Sequence, residues 1–258
     1  MKLRELIPDL LRIARQAGNA ILDIYQRDDF GITEKKDHSP LTEADRAANN
    51  IICNGLEKLP LVYPVISEEN KQTDFSVRKY WRRCWLVDPL DGTKEFIQRN
   101  GDFTVNIALV ENGIAVLGVV SIPAAREVYW AVKGQGAFCE KNGKRQKIHA
   151  ARFKTTDPKL KIVASRSHLD QETQKYIDQF DQPQIISRGS ALKFLLLAQG
   201  EAHVYPRLAP TMEWDTAAAQ AVLEEAGGKV LVHATGQPLH YNRENLRNPA
   251  FIALGNAS

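Results

Sequence analysis

The sequence predicts an α+β arrangement over its first 150 residues, followed by a smaller α/β lobe over residues 151–258. Three features predict it. Apolar residues recur at helical spacing along the first two dozen positions. The middle of the chain alternates apolar runs with Asn-Gly turn signals, and the last hundred residues alternate short apolar runs with helical stretches.

Leu3, Ile7, Leu10, Leu11, Ala14, Ala17, Ile21 and Tyr25 fall on one helical face, so an amphipathic helix opens the chain. After a polar stretch from Arg27 to Ser39, Pro40-Leu41-Thr42 introduces a second helix to about Leu56, with Ala44, Ala47, Ala48, Ile51 and Ile52 on its apolar side. Val62 to Ile66 reads as a strand running into Ser67-Glu68-Glu69, and Trp85 to Val87 as a buried strand. Phe103 to Leu109 and Ile114 to Ile122 flank Asn112-Gly113, a hairpin signal; Val128 to Val132 continues the pattern and Asn142-Gly143 offers another turn. Lys161 to Ser165, Ile185-Ile186, His203 to Tyr205, Lys229 to Val232 and Phe251 to Leu254 then read as strands. Helices from Gln171 to Phe180, Ala191 to Ala198 and Trp214 to Ala226 lie between them, the last stopped by Gly227-Gly228. No repeat or Pro/Ser-rich linker separates the halves, which predicts one body of two lobes.

A chain of 258 residues can bury a sizeable core, and its 43% hydrophobic and 25% charged fractions are those of a soluble globular protein. A net charge of +3 does not argue for a nucleic acid polymer; small anions are the better expected partners. Cys53, Cys84 and Cys139 are odd in number and far apart, which argues against a disulfide framework or a zinc site and for a reducing compartment. Met1-Lys2-Leu3-Arg4-Glu5 lacks a signal-peptide core, and no run approaches the ~20 apolar residues of a membrane span. The expectation is a cytoplasmic protein. Lys2, Arg4, Arg12 and Arg15 on the first helix leave room for weak peripheral association with the cytoplasmic face of an inner membrane, although the helix's apolar side reads as core. Oligomeric state is left open.

Asp88-Pro89-Leu90-Asp91-Gly92-Thr93, directly behind Trp85-Leu86-Val87, carries the strongest chemical signal. A buried strand would deliver two carboxylates to its C-terminal tip, with Pro89 and Gly92 punctuating the turn that follows. Two such anions repel unless a cation or proton lies between them, and an oxygen-only donor set suits Mg²⁺. Glu68 and Glu69 follow another strand, and Asp215 sits in the first turn of a helix. Each has a plain structural alternative: Asp215 for the helix dipole, the glutamates as solvated loop residues, Asp88 and Asp91 as turn formers. Gly134-Gln135-Gly136 lacks the third glycine of a dinucleotide fingerprint, no Gly-x₄-Gly-Lys-[Ser/Thr] loop exists, and Asp88 and Asp91 are three apart rather than in the Asp-x-Asp pattern of haloacid-dehalogenase-like phosphatases.

The chain resembles the inositol-monophosphatase superfamily of Mg²⁺-dependent, lithium-sensitive phosphatases, and within it the branch of CysQ-type 3′(2′),5′-bisphosphate nucleotidases. The likeness runs through Ser39 to Asp45, Ser67-Glu68-Glu69, Trp85 to Asn106, Ser165-Arg166-Ser167-His168, Ser190 to Phe194 and Trp214 to Ala218. Lys94-Glu95-Phe96 after Thr93 points to the nucleotidase branch, since inositol monophosphatases usually carry Thr-Asn-Phe there.

The resemblance implies a layered αβαβα sandwich and two or three Mg²⁺ ions. Glu68, Asp88, Asp91, Asp215 and the main-chain carbonyl of Leu90 would hold the metal, with Gly92 and Thr93 opening a helix toward the substrate phosphate. Leu90, Asp91, Gly92, Thr93 and Asp215 would thus also touch substrate. Asp45, Thr93 and Glu68 would be catalytic, Thr93 and Asp45 orienting an attacking water and accepting its proton. Thr42-x-x-Asp45 is equally an N-terminal helix cap. His168, Ser190, Lys193 and Arg207 match positions that hold the second phosphate and adenosine in family nucleotidases. Lys193 could instead snorkel, Ser190 cap its helix and His168 lie on the surface. The implied activity is hydrolysis of adenosine 3′,5′-bisphosphate (PAP), and of its phosphosulfate analogue PAPS, in sulfate assimilation. An inositol or sugar phosphatase on the same fold and a non-catalytic nucleotide- or Mg²⁺-binding module are the alternatives.

Overall fold

The computed structural model describes residues 2–31, 33–34, 40–165 and 171–258. A single 3₁₀ turn at Leu3–Leu6 leads into helix α1 (Ile7–Tyr25), with Pro8 in the first turn where its missing N–H costs nothing. Short strands β1 (Thr33–Glu34) and β2 (Pro40–Leu41) pair antiparallel ahead of α2 (Glu43–Glu57). Then come β3 (Val65–Ser67), the single-turn helix α3 (Phe75–Arg78), β4 (Arg83–Asp91), the short α4 (Thr93–Ile97), β5 (Thr104–Glu111) and β6 (Ile114–Ile122). Strands β7 (Glu127–Val132), β8 (Ala137–Lys141) and β9 (Lys144–Ile148) complete a seven-stranded sheet in the order β3 to β9. All its pairings are antiparallel except β3 with β4. The two predicted Asn-Gly turns join β5 to β6 and β8 to β9, with φ of 50° and 79° at Asn112-Gly113 and 49° and 72° at Asn142-Gly143. Those left-handed values are what a two-residue hairpin demands.

The second half supplies β10 (Arg152–Phe153), β11 (Lys161–Ser165), α5 (Gln171–Ile177), β12 (Gln184–Arg188), α6 (Leu192–Ala198) and β13 (Val204–Arg207). Helix α7 (Glu213–Glu225), β14 (Lys229–Val232), β15 (Phe251–Leu254) and β16 (Asn256–Ala257) follow. A five-stranded sheet runs β12-β11-β13-β15-β14, its first three strands parallel and its last two antiparallel, while β10 and β16 pair separately.

Alternation along the strands builds the layers. Trp85 and Val87 of β4, with Ile107 and Leu109 of β5, pack against Leu10, Ile21, Ala48 and Ile52 of α1 and α2. Leu86 and Ala108 face the opposite way, onto Phe194 of α6 and Ala217 and Ala221 of α7, which also receive Val163, Tyr205 and Phe251 from the second sheet. On that sheet's outer face Ile162, Val204 and Ile252 meet Ile177 of α5. The order is therefore helices, sheet, helices, sheet, helix, the expected αβαβα sandwich. The apolar side of α1 is core, and two of its cations are engaged: Arg12 with Asp9 at 2.9 Å and Arg15 with Glu140 at 2.6 Å.

Several boundaries differ from the sequence expectation: α5 ends at Ile177 rather than Phe180, β5 runs on to Glu111 and β13 to Arg207, and two strands differ beside the carboxylates. The strand predicted at Val62 to Ile66 begins only at Val65, because Pro64 precedes it and Val62 is 65% exposed. The strand predicted at Trp85 to Val87 runs on through Pro89 to Asp91, with its register against β5 slipping between Asp88 and Asp91. A bulge tolerates proline, which has no N–H to give the ladder.

Gly118, in the middle of β6, lets α7 approach. A Cβ there would lie 2.2 Å from the Ala218 carbonyl oxygen. Backbone cannot yield as a flexible side chain can, so Gly118→Ala is expected to lower stability by at least ~1–3 kcal/mol, read as a fall in the urea midpoint; an unchanged midpoint would refute close packing of α7 on β6.

Candidate active site

The irregular end of β4 aims its two carboxylates. Asp88 is 1% exposed and its Oδ1 accepts from the Leu90 N–H at 3.1 Å, a local bond that spans the proline. Asp91, beyond the slip, is held from β5, whose Thr104 Oγ1 and Asn106 Nδ2 donate to its Oδ2 at 3.3 and 3.4 Å. Gly92 then turns the chain into α4 with φ of 91°, and a Cβ there would meet the Asp102 carbonyl oxygen at 2.9 Å. Glycine is required both for the left-handed backbone and for the close approach.

Asp45 caps α2 and also touches Thr93. Its Oδ2 accepts from the Thr42 N–H at 2.7 Å and the Thr42 hydroxyl at 2.6 Å, closing a capping box at the start of α2. Its Oδ1 accepts from Thr93 Oγ1 at 3.3 Å. Leu90 O lies at 3.3 Å from the same hydroxyl, which has a single proton for two acceptors. Glu68 follows β3, where its N–H donates to Val87 O at 3.1 Å, and its carboxyl is hydrogen-bonded to that of Asp88. Asp215 sits in the first turn of α7, its Oδ2 accepting from the Met212 N–H at 2.9 Å.

Electrostatics bind these positions into one group. Burial pushes the Asp88 carboxyl well above the usual range, and the negative charges of Glu68, Asp91 and Asp215 push it further. Asp215 is raised well above its ordinary value by burial and then by Asp91 and Glu68. Burial takes Asp91 up to about 6, partly offset by the positive charge of Lys193.

Asp91 and Asp215 also line a cavity of about 130 Å³ shared with Gly92, Ser190, Lys193 and Arg207. Lys193 does not snorkel: it is 6% exposed, its Nζ donates to Ser190 O at 2.7 Å and stands 5.5 Å from the Tyr205 ring centroid. Burial lowers its pKa to about 8. Nor does Ser190 cap α6, whose N-cap is Ala191. Ser190 holds a φ of 40°, and both its Oγ and the Nε of Arg207 are buried with no hydrogen-bond partner among the described residues. His168 lies outside the described residues. Glu69 is half-buried, its N–H 3.5 Å from Ser67 Oγ.

Sequence reasoning passed over Thr104 and Asn106, which orient Asp91, and Glu95, Tyr205, Thr211 and Thr216, which line the cavity. Thr104-Val105-Asn106 did carry a signal: two polar groups at period two within an otherwise apolar strand face one side, and a buried strand rarely places them there without partners.

The donor set fits Mg²⁺. It is oxygen only, it excludes sulfur and imidazole, and four carboxylates outnumber the two cations, Lys193 and Arg207, that act on them. Among the described residues no three His, Cys, Asp or Glu side chains converge on one point. Mg²⁺ does not need such a cage, since it keeps several waters and shares substrate phosphate.

The model of the inositol monophosphatase family matches residues 2–253, and the chain belongs to that family. It is similar to the 3′(2′),5′-bisphosphate nucleotidase CysQ of Escherichia coli strain K12, 45% identical over 249 residues that span 95% of this chain and 98% of the relative. The protein of the same name from Haemophilus influenzae is 34% identical over 98% of this chain and 94% of its own. Among solved structures, CysQ from Bacteroides thetaiotaomicron superposes with a TM-score of 0.88 at 42% identity over 99% of each chain. An IMPase from Thermotoga maritima gives 0.78 at 25% identity, over 98% of this chain and 92% of its own. Mg²⁺ dependence is general in the family.

The buried lysine yields a pH prediction. Its pKa lies at about 8 in the folded chain against an ordinary 10.5, so between those values the unfolded state binds the extra proton. Stability contributed by this group therefore rises with pH through that window. The stability of the native chain relative to Lys193→Met, from urea unfolding at pH 7.5 and 10.5, is expected to increase; a constant difference would show that Lys193 is not desolvated.

Proposed function

We propose that the chain is a Mg²⁺-dependent 3′(2′),5′-bisphosphate nucleotidase that hydrolyses adenosine 3′,5′-bisphosphate to AMP and phosphate, clearing a by-product of sulfate assimilation. The observation that carries this reading is a cavity lined by both signs of charge, Asp91, Asp215 and Glu95 together with Lys193 and Arg207, with Ser190 among them. A substrate with one phosphate at a bound cation and a second on the basic residues satisfies both signs. A polyol monophosphate would leave Lys193 and Arg207 without a substrate anion. The 5′-phosphosulfate analogue fits the same reading.

Glu68, Asp88, Leu90 O, Asp91 and Asp215 would hold two or three Mg²⁺ ions, with residues 1–150 as the lobe that supplies most of the site and 151–258 as the lobe that completes it. Bound Mg²⁺ would neutralise charge on the scissile phosphate and on the transition state. The chain's own work is positioning and proton transfer. Asp45 Oδ2 is engaged by Thr42, and Oδ1 faces Thr93, so a proton delivered to Thr93 Oγ1 passes to Asp45 Oδ1. Gly92 and Thr93 would present backbone N–H groups to the phosphate. Ser190 Oγ and Arg207 Nε, both buried without partners among the described residues, would donate to the second phosphate together with Lys193, and His168 is proposed to join them on the resemblance alone. The three cysteines are free and no helix among the described residues is long and apolar enough to cross a membrane, in keeping with a cytoplasmic enzyme.

Phosphate release from PAP and inositol 1-phosphate, assayed in parallel with Mg²⁺, is expected to favour PAP strongly and to vanish in Asp88→Asn. Preference for inositol 1-phosphate would overturn the roles of Lys193 and Arg207, and release unaltered in Asp88→Asn would overturn the metal site. Asp45→Asn should lose about 10²–10⁴-fold in kcat while its thermal midpoint stays close to that of the parent, since an amide oxygen can still accept from the Thr42 N–H and keep the capping box closed. Near-normal turnover would remove Asp45 from the proton path.

A further inference from the structure

Asn248 fixes the beginning of α7 through contacts that surround Asp215. It is 5% exposed, in the segment before β15, and its backbone N–H donates to Thr211 O at 2.8 Å. Its Nδ2 lies 2.7 Å from Met212 O, 3.0 Å from Thr216 Oγ1 and 3.1 Å from Thr211 Oγ1. Met212 O can only accept, so the amide must present its NH₂ end there. The Oδ1 is left buried with no hydrogen-bond partner among the described residues. A buried amide oxygen without a partner is a net cost, so the side chain is retained for what its NH₂ group does.

What it holds is the bed of one carboxylate. The Met212 N–H donates to Asp215 Oδ2 at 2.9 Å, and Thr211 and Thr216 line the cavity together with Asp215. Glu213 has a different task. Its buried carboxylate accepts from the N–H groups of Asn242 at 2.5 Å and Arg243 at 3.2 Å and from Arg243 Nε at 3.1 Å, tying the incoming loop to the helix. Asn248 instead reaches the residues on both sides of Asp215. We infer that Asn248 is a positioning residue that sets the Asp215 carboxylate for Mg²⁺. This rests on the metal-site reading proposed above.

The test measures Mg²⁺ binding directly, by calorimetry on the full chain with Mg²⁺ alone, beside kcat and KM for PAP. Asn248→Ala is expected to weaken Mg²⁺ binding about tenfold or more, the effect of removing a partner that orients a metal ligand, while KM for PAP at saturating Mg²⁺ changes by less than about twofold. Ile13→Val, which trims the core under α1 far from the site, serves as a destabilised control and should bind Mg²⁺ like the parent. Should Asn248→Ala not fold, Asn248→Ser keeps one donor and is expected to weaken Mg²⁺ about fivefold through the bonds it loses. Parent-like Mg²⁺ affinity in the folded variant would overturn the inference and leave the metal site standing. Absence of Mg²⁺ binding by the parent would overturn the metal-site reading and this inference with it.

Discussion

Mutual repulsion among buried carboxylates is the constraint on which the rest of this structure depends. Asp88, Asp91 and Asp215 all have raised pKa values, with burial as the first cause; the charge of Glu68 adds to each, that of Asp91 to Asp88 and Asp215, and that of Glu95 to Asp91. Such groups are costly unless they serve as ligands or are neutralised, and perturbed acids in a cleft mark functional positions. The fold brings them together from three separate elements: the ends of β3 and β4 and the first turn of α7. Each of the three aspartates is braced by a neutral donor, from Leu90, Thr104, Asn106 or Met212.

The sandwich exists to hold those elements at fixed separation. Helix α7 lies between the two sheets and is buried on almost every side, from Trp214 to Leu223. A helix in that position is located by backbone contact, and Gly118 supplies the space on one side. At its first turn the loop before β15 closes over it through Asn248 and Arg243. The same layering brings Lys193 of α6 and Arg207 of β13 to the cavity that Asp91 and Asp215 also line.

Much of this was legible in the sequence, where local chemistry decides the outcome. The helical spacing of α1, the two Asn-Gly hairpins and the glycine stop after α7 each act over a few residues, and the structure places them as expected. The string from Asp88 to Thr93 announced an acidic turn in the same way. The bulge was not legible, because a register slip is decided by the partner strand β5. The second contact of Asp45 could not be read either: its cap is three residues away, but Thr93 is 48 residues away and meets it only in the folded chain. Lys193 and Ser190 each had a local explanation, and the second sheet overrode both by burying them against Tyr205 and the cavity. Asn248 carries no motif at all. Its part is set by the fit of a loop against α7.

The central claim, that the carboxylate group is a Mg²⁺ site that the fold holds under charge repulsion, is met most directly by thermal unfolding with and without Mg²⁺. Binding to the native state alone raises the midpoint by mass action, by ~2.7 kcal/mol at a concentration 100 times the dissociation constant. The account predicts a clear rise in the midpoint with Mg²⁺ that disappears in Asp215→Asn, and a higher midpoint for that variant without Mg²⁺, since one of the repelling charges has gone. A midpoint indifferent to Mg²⁺, or an equal rise in Asp215→Asn, would contradict it.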